Sequence, residues 1–419
     1  MLQSIARRRL FGALGGTILA AMSLALPSAQ AAEPVKIGFG MALTGALAGN
    51  GKAALIAMEI WREDVNKAGG LMGRPVEFVY YDDQTNPSVV PGIYTKLLTV
   101  DKVDLVVSGY GTNVIAPAIP IMMGRKKVFM GLFGLAANEK FNYPNYFQIM
   151  PAGPDPKLDW SRGFFEIATG LDPKPKTVAL VGADAEFARN ALDGAKTNAE
   201  KFNLNVVYNN TYPPSTTDYT PVVRAIQATN PDVVFIASYP PDSAGMVRAI
   251  NEVGLKAQLL GGGMVGLQYA ALLTKLGPML NGITNYDFWV PAPTLDFPGV
   301  NEFLAKYQAK AQDAGVDPLG HYLPPYAYAY LQVLGQAVNA ANSLDDAKLA
   351  EYIRSNEFDT IIGKVKFGKN GEWASTRVLQ VQYQGVTSDG LDQFLKPGAR
   401  AVLYPSEWKY GELKTPFPQ

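Results

Sequence analysis

Cysteine is absent from the 419 residues, and histidine occurs once, at position 321. The first absence excludes disulfides, cysteine nucleophiles, thiolate metal sites and a lipid-anchored N-terminus, while permitting any redox compartment. The second leaves a Ser-His-Asp triad or a histidine metal centre resting on one residue. Flanked by Gly320 and Tyr322, His321 reads as a surface residue at a loop or helix start. An excess of charge is also missing, since 37 basic side chains balance 37 acidic ones. Neither nucleic acid nor an anionic membrane is implied as a partner. No GxxxxGK[ST] phosphate loop occurs. Gly38-x-Gly40 opens a dinucleotide-type fingerprint, but Leu43 stands where its third small residue belongs. The acidic residues further on, Glu59 and Asp64, fall inside a helix instead of at a strand end. Beyond Leu26 no stretch is long and apolar enough to span a membrane.

What is present begins with an address. Arg7-Arg8-Arg9 is a basic segment, Leu10–Leu26 an apolar run, and Ala29-Gln30-Ala31 a small-x-small cleavage signal. The pattern predicts a secretory signal peptide over 1–31, cut after Ala31, and a periplasmic product. An uncleaved anchor helix is the alternative. Arg7-Arg8-Arg9-Leu10-Phe11 also resembles a twin-arginine signal, so the export route is either that or the general secretory one.

The mature chain alternates strands and helices. Strands are expected at Val35–Met41, Val76–Tyr81, Asp104–Ser108 and Lys127–Phe133, with helices between them. After a Pro154–Pro156 break the rhythm restarts, with strands at Thr177–Val181, Asn205–Tyr208, Asp232–Ala237 and Gln258–Leu260. Two doubly wound α/β lobes follow from this. Beyond Pro298 come helices near Gly299–Gly315, Pro324–Ala341 and Asp345–Ser355 without a matching set of strands, which suggests a return to the first lobe. The tail from Lys396 to Gln419 reads as an irregular strap over the surface. Tyr326, Tyr328 and Tyr330 read as packing and surface residues. Asp82-Asp83 reads as a solvated turn or hydrogen-bonding anchor, with a catalytic carboxylate pair the lesser alternative.

The stretch after the third strand carries the first candidate site. In open α/β sheets, ligands sit outside the carboxyl ends of the strands. Gly109-Tyr110-Gly111-Thr112-Asn113 offers glycines for close backbone approach, a ring, a hydroxyl and an amide, with Asn113 as the expected N-cap of the next helix. An exported two-lobe chain with so little catalytic inventory points to binding, not turnover.

Several stretches together resemble the leucine/isoleucine/valine-binding type of periplasmic substrate-binding protein that serves ABC importers. They are Lys36-Ile37-Gly38 through Thr44-Gly45, Asn66-Lys67-Ala68-Gly69-Gly70-Leu71-Met72-Gly73-Arg74-Pro75-Val76, Tyr81-Asp82-Asp83, Gly109 and Pro325-Tyr326-Ala327-Tyr328. The resemblance implies two Rossmann-like lobes joined by three crossovers, near Ile149–Gly153, Asn285–Trp289 and Thr360–Lys364. Lobe one is then 32–150 plus 286–360, lobe two 151–285 plus 361–395, and the strap 396–419. It implies a monomer that meets a small ligand and a membrane permease, without enzymatic activity, cofactor or metal. The ligand residues it implies, beside Tyr110, Gly111, Thr112 and Asn113, are Asn50, Gly134, Leu135, Ala136, Phe187, Tyr239, Gly263 and Met264.

Amino-acid binders of that family hold the α-ammonium with an acid after a later strand. Here Gly263 stands at that place, and Ala136 replaces an expected hydroxyl. Asp287 beside the second crossover is the one other source of charge weighed. Asn50, Tyr110, Phe133, Phe187, Tyr239 and Met264 suggest a small apolar or aromatic carboxylate or amide, with a branched-chain amino acid as runner-up. A sensor domain of the same fold is the rival function, and an exported enzyme the third. N-terminal sequencing of the exported protein is expected to return Ala32 first; a chain beginning at Met1, or one recovered only with membranes, would contradict the signal-peptide reading.

Overall fold

The computed structural model describes residues 33–418, so the expected signal peptide lies outside the described residues. The strands are β1 Val35–Met41, β2 Val76–Asp82, β3 Leu105–Tyr110, β4 Phe129–Leu132, β5 Tyr146–Gln148, β6 Thr177–Ala183, β7 Asn205–Tyr212, β8 Val233–Ser238, β9 Leu259–Met264, β10 Thr284–Asp287, β11 Glu357–Thr360, β12 Gly363–Lys366, β13 Leu379–Tyr383 and β14 Arg400–Tyr404. They form a five-stranded sheet in the order β2-β1-β3-β4-β5, a seven-stranded sheet in the order β14-β13-β10-β9-β8-β6-β7 and a separate β11-β12 pair. The first is parallel throughout. The second is parallel from β7 to β10 and gains β13 and β14 as antiparallel additions. Every residue of β3, β8 and β9 is buried, as sheets covered by helices on both faces require. Two doubly wound lobes result, the fold class expected from the alternation.

The late helices return to the first lobe. Asn339, on the helix Pro324–Ala341, accepts from Met72 N at 2.8 Å, and Tyr328 Oη donates to Asp64 at 3.0 Å. Lys306 and Lys310 pair with Asp64 and Glu63 on the helix Ala48–Lys67. The chain passes between sheets over residues 149–155, 288–299 and 367–378. The third passage comes later than expected. Thr360–Lys364 is instead the bend of the β11–β12 hairpin, closed by Thr360 Oγ1 donating to Gly363 O at 2.7 Å. Asn285 to Asp287 belong to β10, so the second passage starts at Phe288.

Three further stretches differ from the sequence reading. β5 was not anticipated; three residues beside a proline-rich break give too short a pattern. The tail is not wholly irregular, because β14 borders the second sheet and Phe417 bridges to Ala257. Gly261, Gly262, Gly263 and Met264 are not a loop; they extend β9. Gly261 and Gly262 hold φ of +136° and +90°, and side chains there would strike Thr284 O and the Phe235 ring. Glycine runs look like turns in sequence, yet here only glycine fits the strand.

The glycine-rich stretch that carried the resemblance is a closing loop between the first helix and β2. Asn66 clasps the start of β2, its Oδ1 accepting from Val76 N at 2.6 Å and its Nδ2 donating to Val76 O at 3.0 Å. Gly70 sits at φ +82°, with Arg74 O where a Cβ would be. Gly70→Ala should therefore cost about 1–3 kcal/mol from the left-handed backbone alone, read as a lowered denaturant midpoint; a parent-like midpoint would show that the loop tolerates a side chain.

Candidate functional site

A small cavity, of about 30 Å³, lies where the two sheets' carboxyl ends face each other. β3 delivers Tyr110, and the turn at Gly111, φ +104°, starts the helical stretch at Thr112. Gly111 is the N-cap, not Asn113, because β3 runs on to Tyr110 and pairs it with Leu132. Thr112 and Asn113 therefore open the helix with N–H groups that have no intrahelical acceptor. Thr112 Oγ1 accepts from Leu135 N at 3.0 Å, which leaves its own hydrogen free to donate. Phe133, Leu47 and Met150 complete the first-lobe side of the wall.

The second lobe supplies Trp160, Phe187, Tyr239, Val265 and Tyr286, and Tyr322 closes the rear. Tyr239 is set by a capping box: its N–H donates to Asp242 at the start of the helix Pro240–Val253. Trp160 packs on Tyr286 at 4.6 Å and on Phe187 at 5.5 Å between ring centroids. Its Nε1–H is buried and has no partner among the described residues.

Hydrogen bonds cross between the lobes. Asn113 Oδ1 accepts from Tyr239 Oη at 3.1 Å and from Phe187 N at 3.3 Å. Asn190 Nδ2 donates to Leu135 O at 2.9 Å. Asn50 Nδ2 donates to Tyr269 Oη at 2.6 Å. Tyr286 and Tyr322 share a bond of 2.8 Å, and the Tyr110 phenol interacts with Tyr322, Asn50 and Tyr269. Burial raises the pKa of all four phenols in this group, so they stay protonated. No acid, lysine, arginine or histidine among the described residues lines the cavity.

Of the expected residues, Tyr110, Gly111, Thr112, Asn113, Phe187 and Tyr239 meet in this wall. Asn50 stands one layer behind. Gly134, Leu135 and Ala136 do not line it; the space above Gly134 is taken by Gln148, and Leu135 acts only through its backbone. Gly263 lies under Trp160, where a Cβ would come 3.1 Å from the indole, so its contribution is room for that ring. Met264 is tied into the sheet by two bonds to Asn285. Asp287 is fully buried away from the cavity, 3.7 Å from Arg400, and burial pushes its carboxyl up to about 7 against the pull of that guanidinium. His321 is not at the surface: it is buried, Nδ1 accepts from Arg400 at 2.7 Å, and burial holds its pKa well below the ordinary range. Asp82 is an anchor, accepting from Leu43 N, Thr44 N, Thr44 Oγ1 and Gln84 N.

Sequence reasoning missed Met150, Trp160, Val265, Tyr286 and Tyr322; Leu47 falls in the Thr44 to Asn50 loop that the resemblance placed at the cleft. The available signal was proximity to the crossovers, since Met150 lies in the first and Tyr286 borders the second.

Residues 34–390 match the family model described as periplasmic binding protein. The chain belongs to the periplasmic binding protein family. The Leu/Ile/Val-binding protein of Escherichia coli K12 is 25% identical, the match covering 84% of this chain and 91% of that one. Among solved structures, an ABC transporter substrate-binding protein from Sphaerobacter thermophilus matches with a TM-score of 0.74 at 19% identity, over 89% of this chain and 97% of that one. A solute-binding protein of an ABC transporter from R. palustris, solved with benzoate, matches with a TM-score of 0.72 at 19% identity, over 85% and 94%. Proteins of this family are exported to the periplasm, bind small solutes and work with transporter permeases. No helix among the described residues of this binding protein is long and apolar enough to cross a membrane.

Asn113→Ala should loosen the contact between the lobes, because it leaves Phe187 N–H and Tyr239 O–H without their acceptor. Two such bonds are worth about 1–2 kcal/mol together, or roughly a 5- to 30-fold shift toward separated lobes. Small-angle scattering should give a larger radius of gyration for the variant than for the parent; equal radii would show that Asn113 does not hold the lobes together.

Proposed function

We propose that this binding protein is the periplasmic solute-binding subunit of an ABC importer and takes a small apolar or aromatic carboxylate or amide into the interlobe cavity. In this reading the signal is cut after Ala31, on either export route, and a monomer hands its ligand unchanged to a permease. The observation that carries the ligand class is the charge balance of the wall. It offers neutral donors in the Thr112 hydroxyl and the Thr112 and Asn113 N–H groups, and no carboxylate among the described residues. A buried ammonium without a carboxylate costs several kcal/mol. That is most of the roughly 8 kcal/mol of a micromolar complex. A carboxylate or amide needs only donors, and the rings of Phe133, Trp160, Phe187 and Tyr239 suit a planar body. The benzoate complex of the R. palustris relative supports this class.

A branched-chain amino acid is the second reading, favoured by the Leu/Ile/Val-binding relative. It requires Asp287 to leave Arg400 and reach the cavity. Calorimetry with leucine, isoleucine and valine against benzoate, cinnamate and short amides separates the two. The expected outcome is micromolar binding of an aromatic acid or amide, weakened about tenfold by Thr112→Val. Leucine binding that disappears in Asp287→Asn, with no response to the other compounds, would establish the second reading instead.

A further inference from the structure

A second cleft, of about 770 Å³, lies outside the interlobe cavity, at the hinge. Phe297 from the passage 288–299, Trp373 and Arg377 from the passage 367–378, Thr360 from the β11–β12 hairpin and Trp408 from the tail line it. Arg377 is 8% exposed. Its guanidinium lies between the rings of Phe297 and Trp373, 4.9 Å from each centroid. Its one hydrogen bond, from Nη2 to Tyr326 Oη, is a long 3.3 Å. No carboxylate among the described residues comes within ion-pair distance of it. Nε is buried without a partner, and so is Trp373 Nε1. Beside Nη1 stands Gly363, whose missing Cβ would lie 3.3 Å away.

The other cations drawn into the interior among the described residues have partners. Arg400 has Asp287 and His321, and Lys127 has Asp346. A guanidinium this deeply buried without an anion forgoes the bidentate pairing that its five donors are shaped for. Aromatic faces compensate a cation only in part. The acids at the cleft do not fill the gap: Asp359 is engaged by Lys364 at 3.3 Å, and Glu407 is an exposed residue of the rim.

We propose that the hinge cleft is a second binding site, specific for a small aromatic carboxylate, with Arg377 gripping the carboxylate and Phe297, Trp373 and Trp408 flanking the ring. The hydroxyls of Ser375 and Thr376 line the same cleft and supply further donors. An occupant bridges two of the three passages between the lobes, so it sits where hinge movement is governed. The site stands apart from the reading of the interlobe cavity, and each can fail alone.

The test uses the full mature chain with 4-bromobenzoate as probe. Crystals soaked with it should show a bromine anomalous peak in the hinge cleft within reach of Arg377. Calorimetry of the parent should require a site that Arg377→Gln weakens about tenfold or more, that Arg377→Lys recovers only partly, and that Thr112→Val leaves unchanged. A bromine peak confined to the interlobe cavity overturns the proposal. So does a hinge peak with no matching heat in solution, meaning binding at crystal concentration only, or hinge binding that sulfate displaces as readily as benzoate does. Thermal melts establish that the variants are folded; if Arg377→Gln is not, the parent's anomalous map and its solution titration decide the matter.

Discussion

The amide oxygen of Asn113 accepts from a backbone N–H at one helix start and from a phenol at another, both on the opposite lobe. Around it, the remaining polar groups of the interface, buried or half-buried, also find partners across the cleft. That pairing orders the whole site. It explains why Gly111 turns the chain where it does, why the Tyr239 capping box matters, and why Asn50, remote in sequence, bonds to Tyr269. The cavity is the space left over once those bonds are made.

Its neutrality is a second consequence. The tyrosine hydroxyls around Tyr110 stay protonated through burial, and they solvate one another. The charged groups nearest the second crossover, Asp287, Arg400 and the neutral His321, are gathered into a separate buried cluster. A wall of dipoles without net charge accepts an anion or a neutral amide more readily than a zwitterion, since the zwitterion's positive end would lack a counter-charge. The Arg377 cleft presents the opposite imbalance at the hinge: a buried cation with aromatic neighbours and no anion.

The glycines show how one residue type serves different ends. Gly261 and Gly262 permit a strand conformation in β9 closed to other residues. Gly263, the next residue, makes room for Trp160, whose indole then forms part of the cavity wall. Substituting any of these would change the site without any of them touching the contents of the cavity.

The sequence by itself determined the two-lobe architecture. Alternating apolar runs and helical periods are local, and burial on both faces of a parallel sheet leaves a continuous apolar signature. It also determined the first-lobe site loop from Tyr110 to Asn113, and the aromatic character of the second-lobe candidates Phe187 and Tyr239, because those lie at strand ends where such folds expose their loops. Only the tertiary structure decided the rest of the wall. Trp160, Tyr286, Tyr322 and Met150 come together through the passages between lobes, which bring residues far apart in the chain side by side with no local pattern to announce it. The same holds for His321 and Asp287: whether a lone histidine or carboxylate is a surface group, a ligand or a buried partner depends on where Arg400 lands, and Arg400 is placed by a strand that pairs from the far end of the chain.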